Sequence, residues 1–402
     1  MSSSRLHTPS SSHSPADPAP SSDSSSLAHH EQQQQQQQQT PTIPVLGASD
    51  EWSPLRAVIV GCAEHSVFPS EPEHMITATM PAQHQRHFRP GHVFSHEITA
   101  AATAELNHFA GVLQDAGIRV YRPRQVDWLA VGGYTGAMPR DGLMVVGNTL
   151  IEAPFAWRCR RDEIRLAYGG ILDELMRDDN DHNDHNDDDD DHPGAKQHAA
   201  RICRAPTIIG KDTIYDDPKN SQWAINDSRP AFDAADFMRF GQTVLGQLSH
   251  VTNEKGVSYL RALLPPGHTL ELVQVTDPHA MHIDATILPL RRGLLIYNPD
   301  RVTEAALRRH AVLRDWELHP YPFVPKARAD GPPSYMCSPW LVLNALSLDE
   351  KRIVVEQDDV EFADWLRTRF GMEPILVPFR HVHSIGGSFH CATVDLVRGE
   401  EE

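Results

Sequence analysis

From Glu51 onward one order of elements keeps returning: strand, helix, strand, then a further strand close behind. That order constrains the fold more than any other feature of the chain. "LRAVIVG" (Leu55 to Gly61) is an apolar strand run. Ile98, Ala102, Leu106, Phe109 and Leu113 recur at helical spacing, and Gly117 stops that helix. "IRVY" follows as a strand and "GLMVVGNTLIEA" as a strand pair. A helix over about Asp162 to Met176 comes next. "LELVQV", "HIDATILPL" and "GLLIYNP" are three closely spaced strands, and "TEAALRRHAVLRDW" is a helix with Thr303 as its N-cap. "WLVLNALSL" and "RIVVE" read as strands. Phe362, Trp365, Leu366 and Phe370 stripe a last helix capped by Gly371, and "ILVPF" and "SFHCATVDLV" close the chain. A period of roughly 50 to 65 residues predicts similar α/β units arrayed around an axis. A doubly wound sheet competes, but strand pairs with short connections favour antiparallel pairing.

Two segments stand outside this pattern. Residues 1–46 are Ser/Pro-rich and include the unbroken run Gln32 to Gln39. Such a segment cannot bury enough apolar surface to offset its ordering entropy, so it reads as a disordered tail ahead of a globular domain over 47–402. The tail has no apolar stretch of the secretory kind. With Arg5 as its one arginine, and with Asp17, Asp23 and Glu31, it is unlike a mitochondrial transit peptide. The run Asp178 to His192 holds nine aspartates and no Lys or Arg, so it supplies half of the net charge of −18. It reads as a solvated acidic insertion, and the spacing of its three histidines matches no defined metal site. No stretch approaches the roughly 18 apolar residues of a membrane span. No basic patch with interleaved aromatics suggests nucleic acid. The five cysteines, Cys62, Cys159, Cys203, Cys337 and Cys391, are odd in number, widely spaced and without CxxC. That argues for a reducing, cytoplasmic location and against a disulfide framework or a zinc site.

The residues able to do chemistry cluster in a few motifs. "GGSFHCATVDL" crowds two glycines, a histidine and Cys391 at the start of a strand-like run. A lone cysteine is most often an inert core residue. As a nucleophile it needs a base. In a strand the adjacent His390 points to the opposite face, so the base has to come from elsewhere. "MHIDATILPL" offers His282 and Asp284, which share a face if the segment is a strand. They are either a polar pair at an exposed edge or a base and a carboxylate converging on a substrate. In "FDAADFMRFG", Asp236 is placed as a helix N-cap, which leaves Asp233 without a structural task. Asp141, in "MPRDGLMVVG", lies at the mouth of the apolar strand pair.

Together these stretches resemble one family. "EWSPLRAVIVG", "AMPRDGLMVVGN", "IEAPFAWR", "FDAADFMRFG", "MHIDAT", "GLLIYNPDR", "SPWLVLNALSLDEKR" and "GGSFHCAT" follow, in order, the motifs of glycine (L-arginine:glycine) amidinotransferase and inosamine-phosphate amidinotransferase. The resemblance runs from about Glu51 to Arg398 and implies the five-bladed α/β propeller called the pentein fold. It implies that 47–402 is an amidinotransferase catalytic domain, interrupted by the insertion at 178–192. It implies Cys391 as nucleophile, His282 as general acid/base and Asp233 as the acid paired with it. Asp141 and Asp284 match carboxylates that hold a guanidinium, and Arg301 matches the residue that binds the arginine carboxylate. Cys337 and Ser338 match two consecutive substrate-contacting serines, the first replaced here by cysteine. His383 and Ser388 also depart from the family pattern. No metal or organic cofactor is implied; a homodimer is, and a mitochondrial location is the alternative to a cytoplasmic one.

The chemistry suits these residue types. Carboxylates grip a planar guanidinium with paired, charge-assisted hydrogen bonds. A thiolate attacks its central carbon, a histidine protonates the leaving amine, and an amidino-cysteine results. If an amine then attacks, the protein is an amidinotransferase, with glycine as the default acceptor and guanidinoacetate the product. Another amine in specialised metabolism is the alternative. If water attacks, it is an arginine-deiminase-type hydrolase. A non-catalytic binding protein on the same fold is the third reading, against which the full set of Cys391, His282, Asp233, Asp141 and Asp284 speaks.

Overall fold

The structure is a computed structural model that describes residues 46–80, 87–183, 200–215, 222–277, 279–326 and 332–399, with the backbone alone over 178–183. The tail up to residue 45 and the acidic insertion from residue 184 lie outside the described residues.

Among the described residues the strands form five three-stranded sheets of one design. In each, the leading strand is antiparallel to the second, and the second is parallel to the third. β1 (Leu55–Val60), β2 (Arg119–Tyr121) and β15 (Thr393–Arg398) make the first sheet. β3 (Leu143–Val146), β4 (Thr149–Glu152) and β5 (Arg201–Cys203) make the second. β6 (Phe237–Phe240), β7 (Thr243–Gly246) and β8 (Thr269–Leu272) make the third. β9 (Ile287–Arg291), β10 (Leu294–Tyr297) and β11 (Glu317–Pro320) make the fourth. β12 (Leu346–Ser347), β13 (Arg352–Glu356) and β14 (Glu373–Val377) make the fifth. β15 returns from the far end of the chain to pair with β1, Val60 opposite Thr393, and so closes the ring. This is a five-bladed α/β propeller, as the repeat predicts.

Local chemistry explains the design. An antiparallel pair can be joined by two residues, and Gly147, Gly241 and Gly293 supply the positive φ that three such turns need. A parallel partner needs a crossover, and each blade has a helix there. In the first blade it is His96–Asp115, N-capped by Ser95. Its predicted stripe Ile98, Ala102, Leu106, Phe109 and Leu113 is buried throughout. Phe109 meets Phe379 and Phe389 edge-on at 5.4 and 5.2 Å, so Phe109→Ala would cost about 3–5 kcal/mol.

Several predicted elements are shorter than their apolar runs. The helix after Thr303 spans Glu304–Leu307, although Thr303 caps it by accepting the Ala306 N–H. "WLVLNALSL" is mostly a 3-10 turn, Pro339–Leu343, ahead of the short β12. "HIDATILPL" begins as the 3-10 turn Ile283–Ala285 before β9. "SFHCATVDLV" becomes a strand at Thr393. Asp236 caps no long helix and sits at the end of the 3-10 turn Ala234–Asp236. The helix expected to stop near Met176 runs on through Asn183, into the acidic run. The shortfalls at Pro339–Leu343, Ile283–Ala285 and the segment before Thr393 share a cause. Each blade's leading strand is preceded by a tight turn, and the apolar residues of that turn are buried at the centre without being extended. The turn Pro139–Gly142 packs on Ala234–Asp236, which packs on Ile283–Ala285, which packs on Pro339–Leu343; the first also packs on β15.

Candidate active site

Those turns carry the candidate functional side chains, one blade after another. Asp141 lies two residues before β3, Asp233 four before β6, Asp284 three before β9, Asn344 two before β12 and Cys391 two before β15. The pseudo-symmetry of the propeller aims them at one point.

His282 is aimed by its backbone. It is one of two non-glycine residues with positive φ among those described, at 64°. A histidine in that region carries a cost of order 1 kcal/mol or more. Its N–H donates to Asp236 Oδ1 at 2.9 Å, and Asp236 is held in turn by the Ser249 hydroxyl at 2.7 Å. Asp236 thus serves as an anchor for the His282 turn. His282 Nε2 then lies 3.2 Å from Asp233 Oδ2, and Nδ1 lies 3.7 Å from Asp141. Trp157 Nε1–H donates to the same Asp233 oxygen at 3.2 Å. One atom each of Asp141, His282 and Cys391 lies within 4.8 Å of the other two, the spacing of a nucleophile and its acid–base partners as well as of metal ligands.

Asn344 holds the cysteine at both ends. Its Nδ2–H donates to Cys391 Sγ at 3.1 Å and its Oδ1 accepts the Cys391 N–H at 3.0 Å. Cys391 Sγ is 3.4 Å from Asp284 Oδ2. The strand-parity expectation for His390 fails, because residues 389–392 form a turn. His390 Nδ1 reaches that same Asp284 oxygen at 2.8 Å. The parity argument for His282 and Asp284 fails in the same way, yet the turn brings both to Cys391.

Burial would lower His282, but the charge of Asp141 and the hydrogen bond to Asp233 outweigh it and hold it well above its ordinary value. Burial raises Asp141 against the pull of His282 and Arg160. Burial also works to raise Asp284, but the hydrogen bond and charge of His390 bring it below the usual range. Burial and the Asp284 charge push the Cys391 thiol up to about 12, against His282. Asp141 is fixed through Arg160, which donates to it at 2.6 Å and to Glu163 at 2.8 and 2.7 Å. Asp141 Oδ1, Asp233 Oδ1 and Asp284 Oδ1 are buried without a hydrogen-bond partner, and so is Arg301 Nη1. Arg301 is otherwise tied to Asp277 through Nε at 3.2 Å. Two carboxylates beside a thiol, Asp141 and Asp284, each with an oxygen free of hydrogen bonds, suit a planar cation with several N–H groups.

Cys337 and Ser338 open the turn that carries Asn344. The Cys337 thiol is buried and donates to the His383 carbonyl at 3.4 Å, while His383 Nε2 meets Ser388 Oγ at 3.0 Å. The three departures from the family motifs therefore touch one another.

No family model matches the chain. Over 87% of its length it is 36% identical to the L-arginine:L-lysine amidinotransferase of Pseudomonas savastanoi pv. phaseolicola, covering 93% of that protein. The chain belongs to the amidinotransferase family. It is also 33% identical to the mitochondrial glycine amidinotransferase of Danio rerio, over 87% of this chain and 82% of that one. Among solved structures it is similar to an amidinotransferase of Microseira wollei from a saxitoxin biosynthetic pathway. There the identity is 31% and the TM-score 0.73, over 89% of this chain and 99% of the other. It is equally similar to the inosamine-phosphate amidinotransferase of Streptomyces griseus, at 28% identity, TM-score 0.73, and coverage of 89% and 98%. The pentein fold of these amidinotransferases is the propeller described above. The protein is an amidino-group transferase of small molecules. Among its described residues no helix is long and apolar enough to cross a membrane.

Asn344, Arg160 and Glu163 were not foreseen from sequence. Asn344 had a signal, since it is the one polar residue inside the run Trp340 to Leu346. Arg160 and Glu163 had none.

Proposed function

We propose that this amidinotransferase takes the amidino group from L-arginine through Cys391 and passes it to a small amino-acid amine, glycine first. The observation that carries the reading is the cluster of Asp141, His282 and Cys391, with Asp284 on the same thiol at 3.4 Å and one oxygen of each carboxylate without a hydrogen bond. Asp141 and Asp284 take the guanidinium, and Arg301 takes the arginine carboxylate. A bound guanidinium offsets the two carboxylates that keep the thiol protonated, so the Cys391 proton passes to solvent and a thiolate forms beside protonated His282. Asn344 Nδ2–H stabilises that thiolate. Sulfur attacks the guanidinium carbon. As the carbon–Nε bond breaks, His282, held by Asp233, gives its proton to Nε and ornithine leaves as a neutral amine. His282, now neutral, takes a proton from the acceptor amine as that amine attacks the amidino-cysteine. The carbon–sulfur bond then breaks and the thiolate returns.

Lysine is the second reading for the acceptor, favoured by the identity to the arginine:lysine enzyme. Ser338 beside the buried Cys337 is read as a contact for the amino-acid end of a substrate. All five cysteines are unbonded, which supports a reducing location, cytoplasmic or, as for the mitochondrial glycine amidinotransferase of Danio rerio, mitochondrial. The test is purified protein with arginine and, separately, glycine, lysine, other amines or none. Ornithine formed beyond one equivalent of enzyme only when an amine is present supports transfer, and the amine that works names the acceptor; citrulline formed without one overturns it. Arginine alone should add one amidino group to the intact mass, and Cys391→Ala should abolish the adduct.

A further inference from the structure

His390 precedes the nucleophile by one residue, and the turn puts both on one carboxylate. Its Nδ1 lies 2.8 Å from Asp284 Oδ2 and its Nε2 lies 3.3 Å from Glu51 Oε2. Both carboxylates are acceptors, so an imidazole satisfies the two only with a proton on each nitrogen. Glu51 is itself gripped by Arg239, through Nε at 2.7 Å and Nη2 at 2.6 Å. The Arg140 Nε–H donates to the His390 carbonyl at 3.3 Å and fixes its backbone. All of these side chains are buried. Asp284 thus has one oxygen committed to His390 and the other, Oδ1, without a protein partner.

We propose that His390, bridging Glu51 and Asp284 through its two ring nitrogens, is a positioning residue that orients the Asp284 carboxylate for the substrate guanidinium. It moves no proton in the reaction. The proposal rests on the reading of Asp284 as a guanidinium ligand. The charged groups facing this unit are Cys391, His282 and Arg301 on the Asp284 side and Arg239, Arg140 and Asp395 on the Glu51 side. Each remains when His390 is replaced. Burial then prevails at Asp284, and the carboxylate loses the partner that fixes its plane, so arginine binds less well and its KM rises more than kcat falls.

The experiment is kcat and KM for arginine in wild type, His390→Gln and His390→Leu, with folded fraction read by circular dichroism. His390→Leu should lower kcat/KM about 10- to 100-fold, mostly through a raised arginine KM. His390→Gln, which keeps one N–H for Asp284, should fall between. Folded variants with an unchanged arginine KM would overturn the proposal. If neither variant folds, the smaller change His390→Asn decides by the same measurement: a raised arginine KM supports the proposal and an unchanged one refutes it. Asp284→Asn, run alongside, separates the two claims: if Asp284 does not hold the guanidinium, its arginine KM stays at the wild-type value, whatever His390 does.

Discussion

Asn344 offers the sharpest test of how the site makes a thiolate. Its carboxamide does two separable things: Nδ2–H donates to Cys391 Sγ at 3.1 Å and Oδ1 accepts the Cys391 N–H at 3.0 Å. The thiol starts from about 12, so the free enzyme holds little thiolate near neutrality and every donor to sulfur counts. A hydrogen bond to a charged group contributes about 1.5–3 kcal/mol. At about 1.36 kcal/mol per pKa unit, losing it raises the thiol by about one to two units. Asn344→Asp keeps the acceptor for the Cys391 N–H but replaces the donor by a carboxylate oxygen, so backbone geometry is retained and the thiolate is disfavoured. Alkylation of Cys391 by iodoacetamide, followed by intact mass across pH, should slow about 10- to 150-fold below the thiol's pKa. Amidino-cysteine formation from arginine in a single turnover should slow in parallel. Asn344→Leu should add a loss of about 1–3 kcal/mol in stability, because it leaves the buried Cys391 N–H unpaired. An Asn344→Asp enzyme that alkylates at the wild-type rate at every pH would refute the argument. The donor would then act on the thiol's position and not on its charge.

Arg301 carries an unpartnered buried Nη1, read as the contact for the arginine carboxylate. Arg301→Ala should therefore lower kcat/KM for arginine about 10- to 150-fold but leave agmatine, which lacks that carboxylate, nearly unaffected; equal losses for both donors would count against the role. Stability should follow the two directions of the buried groups. Glu51, Asp284 and Asp395 are held below their ordinary values, so their contribution is present above the unfolded carboxylate value of about 4 and is lost as pH falls through the folded values. His282 is held above its ordinary value, so its contribution is full below about 6.5 and is lost as pH rises through the folded value. Thermal unfolding against pH should show Glu51→Gln flattening the acid slope and His282→Asn flattening the alkaline one; unchanged slopes would contradict the ion-pair assignment.

What was legible in the sequence was what repeats locally. Strand runs, the buried stripe of the helix His96–Asp115, the Thr303 cap and the Gly371 cap each follow from residues within one turn or one strand of each other. The blade order follows because short connections force antiparallel pairs. The site was legible only as motifs. Its geometry was not, because a strand's alternation does not hold where the chain is turning. At Cys391 the alternation sent His390 away, whereas the turn at 389–392 brings both to Asp284 Oδ2. At His282 a positive φ, held by Asp236, sets the ring direction that no periodicity encodes. Arg160 and Glu163 answer to a charge, Asp141, that is distant in sequence and near in space. The same holds for the three motif departures. Cys337, His383 and Ser388 look independent along the chain, but the thiol meets the His383 carbonyl and the imidazole meets the Ser388 hydroxyl. The His383 ring and the Ser388 hydroxyl are each other's side-chain partner and change together, while the Cys337 thiol needs only the backbone carbonyl of residue 383, so the three meet in one wall but only two are coupled through their side chains.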